Sequence, residues 1–353
     1  MKKRHITIIL LCLGLFSTAQ DELYHKSYDQ LNQMLEDSTT YSFKKAVFSV
    51  ENAYYKGRLD TLKFENKIKL LTLLSKGLVN SRSLIYNGKD LDEVEKCAAV
   101  FSLMTDSIPI AHPNGETFVH LPFQYDFNDP FGHENWENMF VTKLLQTHKG
   151  NCHSLPYLYK ILAEELETKA HLALAPSHVY IKHFNEKDGW FNTELTSGVF
   201  PRDAWLMASG YIHLDAIKNG VYLKALNDKE SIALCMLDLA LGYTKQLNYN
   251  PDFVLKCVNK ALEIFPNFAS AHVLKTEVKG KKLHQLLDEN ELTFDVPDQL
   301  PKADALKTEI EKDLRHIHEL GYRQMPESMY LDWLISLKTE QEKYINQKLR
   351  TFK

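Results

Sequence analysis

The chain has 353 residues, 44% of them hydrophobic and 25% charged, with a formal net charge of −4. That is enough to bury one large or two medium cores, and the balance excludes a fibrous or disordered chain. No basic cluster stands out against the acidic excess, so nucleic acid is not an expected partner.

In chain order, Lys2, Lys3 and Arg4 precede an apolar run from Ile6 to Phe16, and Ser17-Thr18-Ala19 follows. This is the layout of a secretory signal peptide, with cleavage expected near Ala19. The run is too short to span a bilayer comfortably, and no later stretch is long and apolar enough to do so. Residues 1–19 are therefore expected to be a leader. The mature protein is expected to be exported, periplasmic or secreted, without stable membrane insertion. Removing the leader takes three of the 42 basic residues and none of the 46 acidic ones, leaving 39 against 46 and a formal charge of −7. Four cysteines remain: Cys97, Cys152, Cys235 and Cys257. They are too sparse for a disulfide scaffold, and no CxxC pair supports structural zinc. Cys235 and Cys257 fall on neighbouring helical segments and read as buried free thiols rather than a bridge.

Residues 20–107 read as a helical region. Apolar residues recur at three- and four-residue spacing over 43–55, 64–78 and 91–104, with turns at Lys56-Gly57, Asn80 and Asn87-Gly88. Residues 108–225 form a second segment. It opens with an extended, loop-rich passage, 108–135, marked by Pro109, Pro113, Pro122 and Pro130 and by a crowd of aromatics. A helix is expected over 134–147 and another over 155–166, then strands at 170–175, 179–184 and 190–195, with a tight turn over 185–189. Residues 226–295 read as helical hairpins. Leu241-Gly242, Ala261, Pro266 and Asn267-Phe268-Ala269 resemble one tetratricopeptide repeat, in which small residues let two helices approach. A linker over 295–301 and amphipathic helices complete the last segment, 296–353. The expected class is α+β and helix-dominated overall.

One cysteine stands apart. Cys152 follows Gly150-Asn151 at the start of a helix, where partial positive charge and unpaired amides favour a thiolate and an oxyanion beside it. A cysteine nucleophile needs a base, and the base needs an orienting acceptor. His178 opens the second strand, and the turn at 185–189 brings Glu194 back beside it, so Glu194 is the expected acceptor for the imidazole N–H. Asn192, of the same side-chain parity, is the alternative orienter. Gln146, six residues before Cys152, is a candidate oxyanion donor beside the equally open Trp136, Asn138 and His153. His178 and His183 lie five apart on a strand and so point to opposite faces. No histidine or cysteine spacing matches a metal site, and Trp205, Tyr211 and Trp333 read as core.

Gly150-Asn151-Cys152-His153-Ser154, Pro176-Ser177-His178-Val179-Tyr180-Ile181 and Trp190-Phe191-Asn192-Thr193-Glu194-Leu195-Thr196 together resemble the transglutaminase-like superfamily. The resemblance covers roughly residues 130–205. It implies a papain-type central domain flanked by helical regions, with Cys152 as nucleophile, His178 as base and Glu194 in the acid's place. Two positions depart from the pattern: glutamate stands where aspartate is usual, and Leu195 where proline is usual. The resemblance implies acyl transfer or amide hydrolysis on a peptide or protein, with no metal or organic cofactor. The helical regions would offer a surface for a protein partner. The reading from another class is an inactive module of the same fold that binds peptide.

Overall fold

The computed structural model describes residues 21–111, 114–209, 211–246, 249–293, 300–336 and 339. The expected leader and most of the linker expected at 295–301 lie outside these residues. Helices α1 (21–36), α2 (Phe43–Tyr54), α3 (Thr61–Ser81) and α4 (Leu91–Thr105) come first. Short strands β1 (Ile108–Ala111), β2 (Thr117–His120) and β3 (Gln124–Tyr125) follow, then a 3-10 turn over Trp136–Met139. The middle of the chain holds α5 (Val141–Thr147), β4 (Lys149–Gly150), α6 (Ser154–Glu165), β5 (His171–Ala175), β6 (His178–Asn185) and β7 (Gly189–Thr193). After it come α7 (Asp203–Ser209), α8 (Leu214–Lys218), α9 (Asp228–Thr244), α10 (Pro251–Ile264), α11 (Ala269–Glu289), α12 (Pro301–Glu319) and α13 (327–336). The class is α+β with helix dominant.

The chain divides into two units that do not follow the sequence segments in order. One joins the residues up to Leu59 to Asp228–Leu320; the other joins Asp60–Asn227 to the described residues from Gly321 onward. The N-terminal helical region is thus shared between them. So is the C-terminal one, with α12 in the first unit and α13 in the second. The turn expected at Asn80 falls inside α3, which runs to Ser81. The single helix expected over 134–147 is instead the 3-10 turn followed by α5.

In the first unit, α2, α9, α10, α11 and α12 pack in succession. The small residues of the repeat-like stretch do what their spacing suggests. A Cβ at Gly242 would lie 3.7 Å from Tyr24 and Tyr54 atoms, and Ala261 is fully buried. Phe265 and Phe268 stack at 5.1 Å where Pro266 separates α10 from α11. Cys235 and Cys257 are buried free thiols.

In the second unit α6 is the central element. Its residues from Ser154 to Ala163 are all buried, including Leu155, Tyr157, Leu158, Tyr159, Ile161 and Leu162. A helix apolar around its circumference must be enclosed, and α3, α4, α5 and the strands β5 and β6 supply the enclosure. Each large apolar side chain so buried contributes about 1.5–3 kcal/mol. Lys160 lies within this core because its Nζ reaches the Ala170 carbonyl at 3.2 Å and Glu164 at 3.0 Å. The sheet is antiparallel in the order β5-β6-β7, with Ala175 paired to His178 and Ile181 to Thr193.

Candidate active site

The site is built at three chain junctions of the second unit. The first is the entry to α6. The Asn151 side-chain oxygen accepts from the amides of His153 (3.0 Å) and Ser154 (3.3 Å), while Ser154 Oγ accepts from the Asn151 amide at 3.1 Å. This reciprocal capping satisfies first-turn donors and fixes the path of the chain through Cys152. The helical bond pattern begins here, with the Leu155 amide donating to the Asn151 carbonyl. Glycine is required just before it, since a Cβ at Gly150 would stand 2.2 Å from Ser154 Oγ. The short parallel pairing of β3 with β4 sets Tyr125 beside Gly150.

The second junction is the β5–β6 hairpin. Pro176-Ser177 forms its two-residue turn, Pro176 with a ring-fixed φ and Ser177 in the left-handed region at φ 55°. His178 is therefore the first residue of β6. The third junction follows β7, where the Glu194 amide donates to the Val199 carbonyl at 2.9 Å and the Val199 amide returns to Glu194 at 3.1 Å. This closes a small loop, and the Thr196 amide donates to Glu194 Oε1 at 2.8 Å.

These junctions bring Cys152, His178 and Glu194 together. His178 Nε2 donates to Glu194 Oε2 at 2.5 Å, with both side chains essentially fully buried. The other ring nitrogen, Nδ1, lies 3.3 Å from the Tyr330 hydroxyl, which itself donates to Cys152 Sγ at 3.2 Å. Burial by itself would hold His178 neutral, but the Glu194 charge, together with bonds to Cys152 and Glu194, overrides it and pushes the imidazole up to about 10. Burial likewise pushes the Cys152 thiol up. The bond and charge of His178, the Tyr330 hydroxyl and the Val179 amide outweigh that, and the net direction is down. Burial raises the Glu194 carboxyl too, and the imidazolium with the Thr196 bonds brings it below its ordinary value. All three directions favour the charged forms: the thiol is eased toward thiolate, the imidazole toward imidazolium and the carboxyl toward carboxylate.

Two expected residues lie elsewhere. Asn192 shares side-chain parity with Glu194, but β6–β7 register pairs it with Lys182, four residues along β6 from His178, or about 13 Å at strand rise. Its amide donates to the Pro201 carbonyl (2.9 Å) and to Asp203 (2.8 Å), so it does not orient the imidazole. Gln146 is exposed on α5 and stands outside the hydrogen-bonded group around Cys152. Among the other oxyanion candidates, His153 Nδ1 is bonded to the Met139 carbonyl at 2.8 Å, and the Asn138 amide reaches Asp129.

Sequence reading missed three aromatic residues at the site. Tyr330, on α13, donates its hydroxyl to Cys152 Sγ at 3.2 Å and lies 3.3 Å from His178 Nδ1. Tyr125 Oη is 3.4 Å from Tyr330 Oη. Trp333, read as core, meets the His178 ring edge-on at 4.7 Å. The only local signal was the three-residue spacing of Tyr330 and Trp333 on a helix, which says nothing of a cysteine 178 positions away.

Comparison with protein-family models and with curated proteins finds no match. A solved structure with some similarity is the crystal structure of menin that reveals the binding site for Mixed Lineage Leukemia (MLL) protein. It has 11% sequence identity and a TM-score of 0.32, covering 92% of this chain and 91% of that one. A likeness that distant carries no argument about this chain. Among the described residues no helix is long and apolar enough to cross a membrane.

Proposed function

We propose that this chain is an exported, transglutaminase-like, papain-type enzyme that performs cysteine-dependent acyl transfer or amide hydrolysis on a peptide or protein. The observation that carries the reading is the two-ended use of the His178 ring: Nε2 on Glu194 at 2.5 Å, and Nδ1 3.3 Å from the Tyr330 hydroxyl that donates to Cys152 Sγ. A histidine of purely structural use does not need a buried carboxylate behind it and a depressed thiol in front of it.

The chemistry follows from that arrangement. The Cys152 thiolate attacks the substrate carbonyl carbon, forming a C–S bond and an oxyanion at the positively polarised entry of α6. The His178 imidazolium gives its Nδ1 proton to the leaving amine, and the C–N bond breaks to leave a thioester. Water or an acceptor amine then loses a proton to His178 and attacks the thioester carbon. The C–S bond breaks and the thiolate is restored. Glu194 holds the ring orientation and balances the imidazolium throughout.

The test is the pH dependence of iodoacetamide labelling at Cys152 in the mature protein and in His178→Ala and Glu194→Gln variants. A midpoint well below the ordinary thiol value of about 8.5 is expected. The rate at pH 7 should drop roughly 100-fold in His178→Ala, the low end of what a lost acid–base partner costs, and about 10-fold in Glu194→Gln, as for a shift of about one pKa unit. An ordinary midpoint, unmoved by either substitution, leaves a non-catalytic peptide-binding module.

A further inference from the structure

We propose that α13 is an in-chain ligand of the Cys152 cleft, with Tyr330 standing where a substrate's reacting carbonyl must go and the Tyr330 and Trp333 rings filling a subsite for an aromatic side chain of the acyl substrate. The inference rests on the reading of Cys152 as a nucleophile.

The geometry of attack makes the overlap unavoidable. A reacting carbon must come within about 3–3.5 Å of the nucleophile, with its leaving group in reach of the acid. Tyr330 Oη already lies 3.2 Å from Sγ and 3.3 Å from Nδ1. It stays protonated as a donor, because burial and the neighbouring Cys152 hold its phenol well above the ordinary value. With α13 in place Cys152 is only 8% exposed and Tyr330 1%. No acyl group can enter while that helix is docked.

The walls of the cleft show what it prefers. The Tyr330 ring lies 5.0 Å from Phe131 and 5.6 Å from Trp333, and Trp333 lies 6.1 Å from Trp205. Aromatic walls at these spacings favour another aromatic ring beyond its area alone. Substrate would then replace Tyr330 and Trp333 by side chains of the same kind.

The attachment of α13 has two parts, a buried face of Tyr330, Trp333 and Leu334 and a solvent-exposed rim. Its entry is fixed at Gly321, where φ is +84° and a Cβ would stand 2.3 Å from the Ala216 amide nitrogen. Its rim is held by exposed groups: His133 Nε2 to Glu327 at 2.9 Å, and the Tyr211 hydroxyl to Met329 Sδ at 3.0 Å. Exposed pairs of this kind contribute little.

The experiment compares iodoacetamide labelling rates of Cys152 at pH 7 in the wild-type chain, Tyr330→Ala/Trp333→Ala, His133→Glu and His133→Glu/Glu327→Lys, each checked for folding by circular dichroism. The double aromatic variant should label at least about tenfold faster. His133→Glu sets two carboxylates against each other at the rim, changes no core residue, and should label about threefold faster. Charge reversal at Glu327 should return it to the wild-type rate. With the aromatic variant, chloroacetyl-phenylalaninamide should react about fivefold faster than chloroacetyl-glycinamide, each normalised to free cysteine. Equal normalised rates overturn the aromatic subsite. Unchanged labelling in folded variants, with the wild-type midpoint still low, overturns the in-chain ligand and leaves the enzyme reading standing. An ordinary thiol midpoint in every variant overturns both. If the double variant fails to fold, the two rim variants decide the question.

Discussion

One strand carries two cysteine–histidine pairs. His178 at the start of β6 faces Cys152, and His183 further along faces Cys97, whose Sγ lies 3.5 Å from Nδ1. Cys152 and both histidines are buried and Cys97 is half-buried, yet the two pairs are driven in opposite directions. At the second pair burial pushes the Cys97 thiol up to about 11 and His183 down to about 4. Its Nδ1 bonds to the Lys169 carbonyl at 3.1 Å and its Nε2 to the Tyr159 hydroxyl at 3.0 Å, both neutral groups. The first pair has Glu194 at the far ring nitrogen, and there the imidazole is pushed up to about 10. Proximity of cysteine to histidine therefore does not make a thiolate. A buried carboxylate behind the histidine decides whether desolvation or charge wins.

The sharpest way to break this comparison is to label both thiols in one sample. At pH 7 a thiol near 11 is ionised to about one part in 10⁴. With α13 loosened, as in His133→Glu, peptide mass mapping should find Cys152 alkylated at least about 10³-fold faster than Cys97, even though Cys97 is the more exposed of the two. Rates within tenfold of each other would remove the distinction drawn between the pairs.

The next largest effect is on stability. Removing one partner of a buried ion pair strands the other, at a cost of about 3–5 kcal/mol, and Glu194→Ala should show it in urea unfolding near pH 7. The pH dependence has a definite sign. His178 is raised on folding, so its contribution is complete below its ordinary 6.5 and is lost as pH rises through about 10. Glu194 is lowered, so its contribution is present above the ordinary carboxylate range and is lost as pH falls through its folded value. Wild-type stability should thus fall on both sides of this window. Glu194→Ala should flatten the alkaline limb, whereas His183→Asn should leave it in place.

The same contrast shows what the sequence could carry. The Cys-His-Glu order was legible because each residue sits at a local junction with its own signature. Gly150-Asn151 caps a helix, Pro176-Ser177 turns a hairpin, and 185–189 turns the next. Parity correctly put Asn192 and Glu194 on one face. It could not supply register, and register separates Asn192 from His178 by four residues of β6. Cys97 gave no sign of its histidine because the pairing is between α4 and β6, across the packed interior. Tyr330 was illegible for the same reason on a larger scale. The chain leaves the second unit at Asn227 and re-enters it at Gly321, and no local pattern encodes such a return.

The two tyrosines beside the pairs provide the smallest and most discriminating test. Tyr159 donates to the Cys97 carbonyl at 2.8 Å as well as standing at His183, within the buried core of α6. Replacing it by phenylalanine leaves buried polar groups unsatisfied, a cost of about 1–3 kcal/mol, and should not move the labelling midpoint of Cys152. Tyr330→Phe keeps the ring against Phe131 and Trp333 and removes the hydroxyl that helps hold the Cys152 thiol down. The expected pattern is reversed: the midpoint of Cys152 rises, while stability changes less than in Tyr159→Phe. Melting curves and labelling profiles on the two variants read both effects. If both variants lose stability with no change at Cys152, Tyr330 is a packing residue like Tyr159, and the difference between the pairs rests on Glu194 alone.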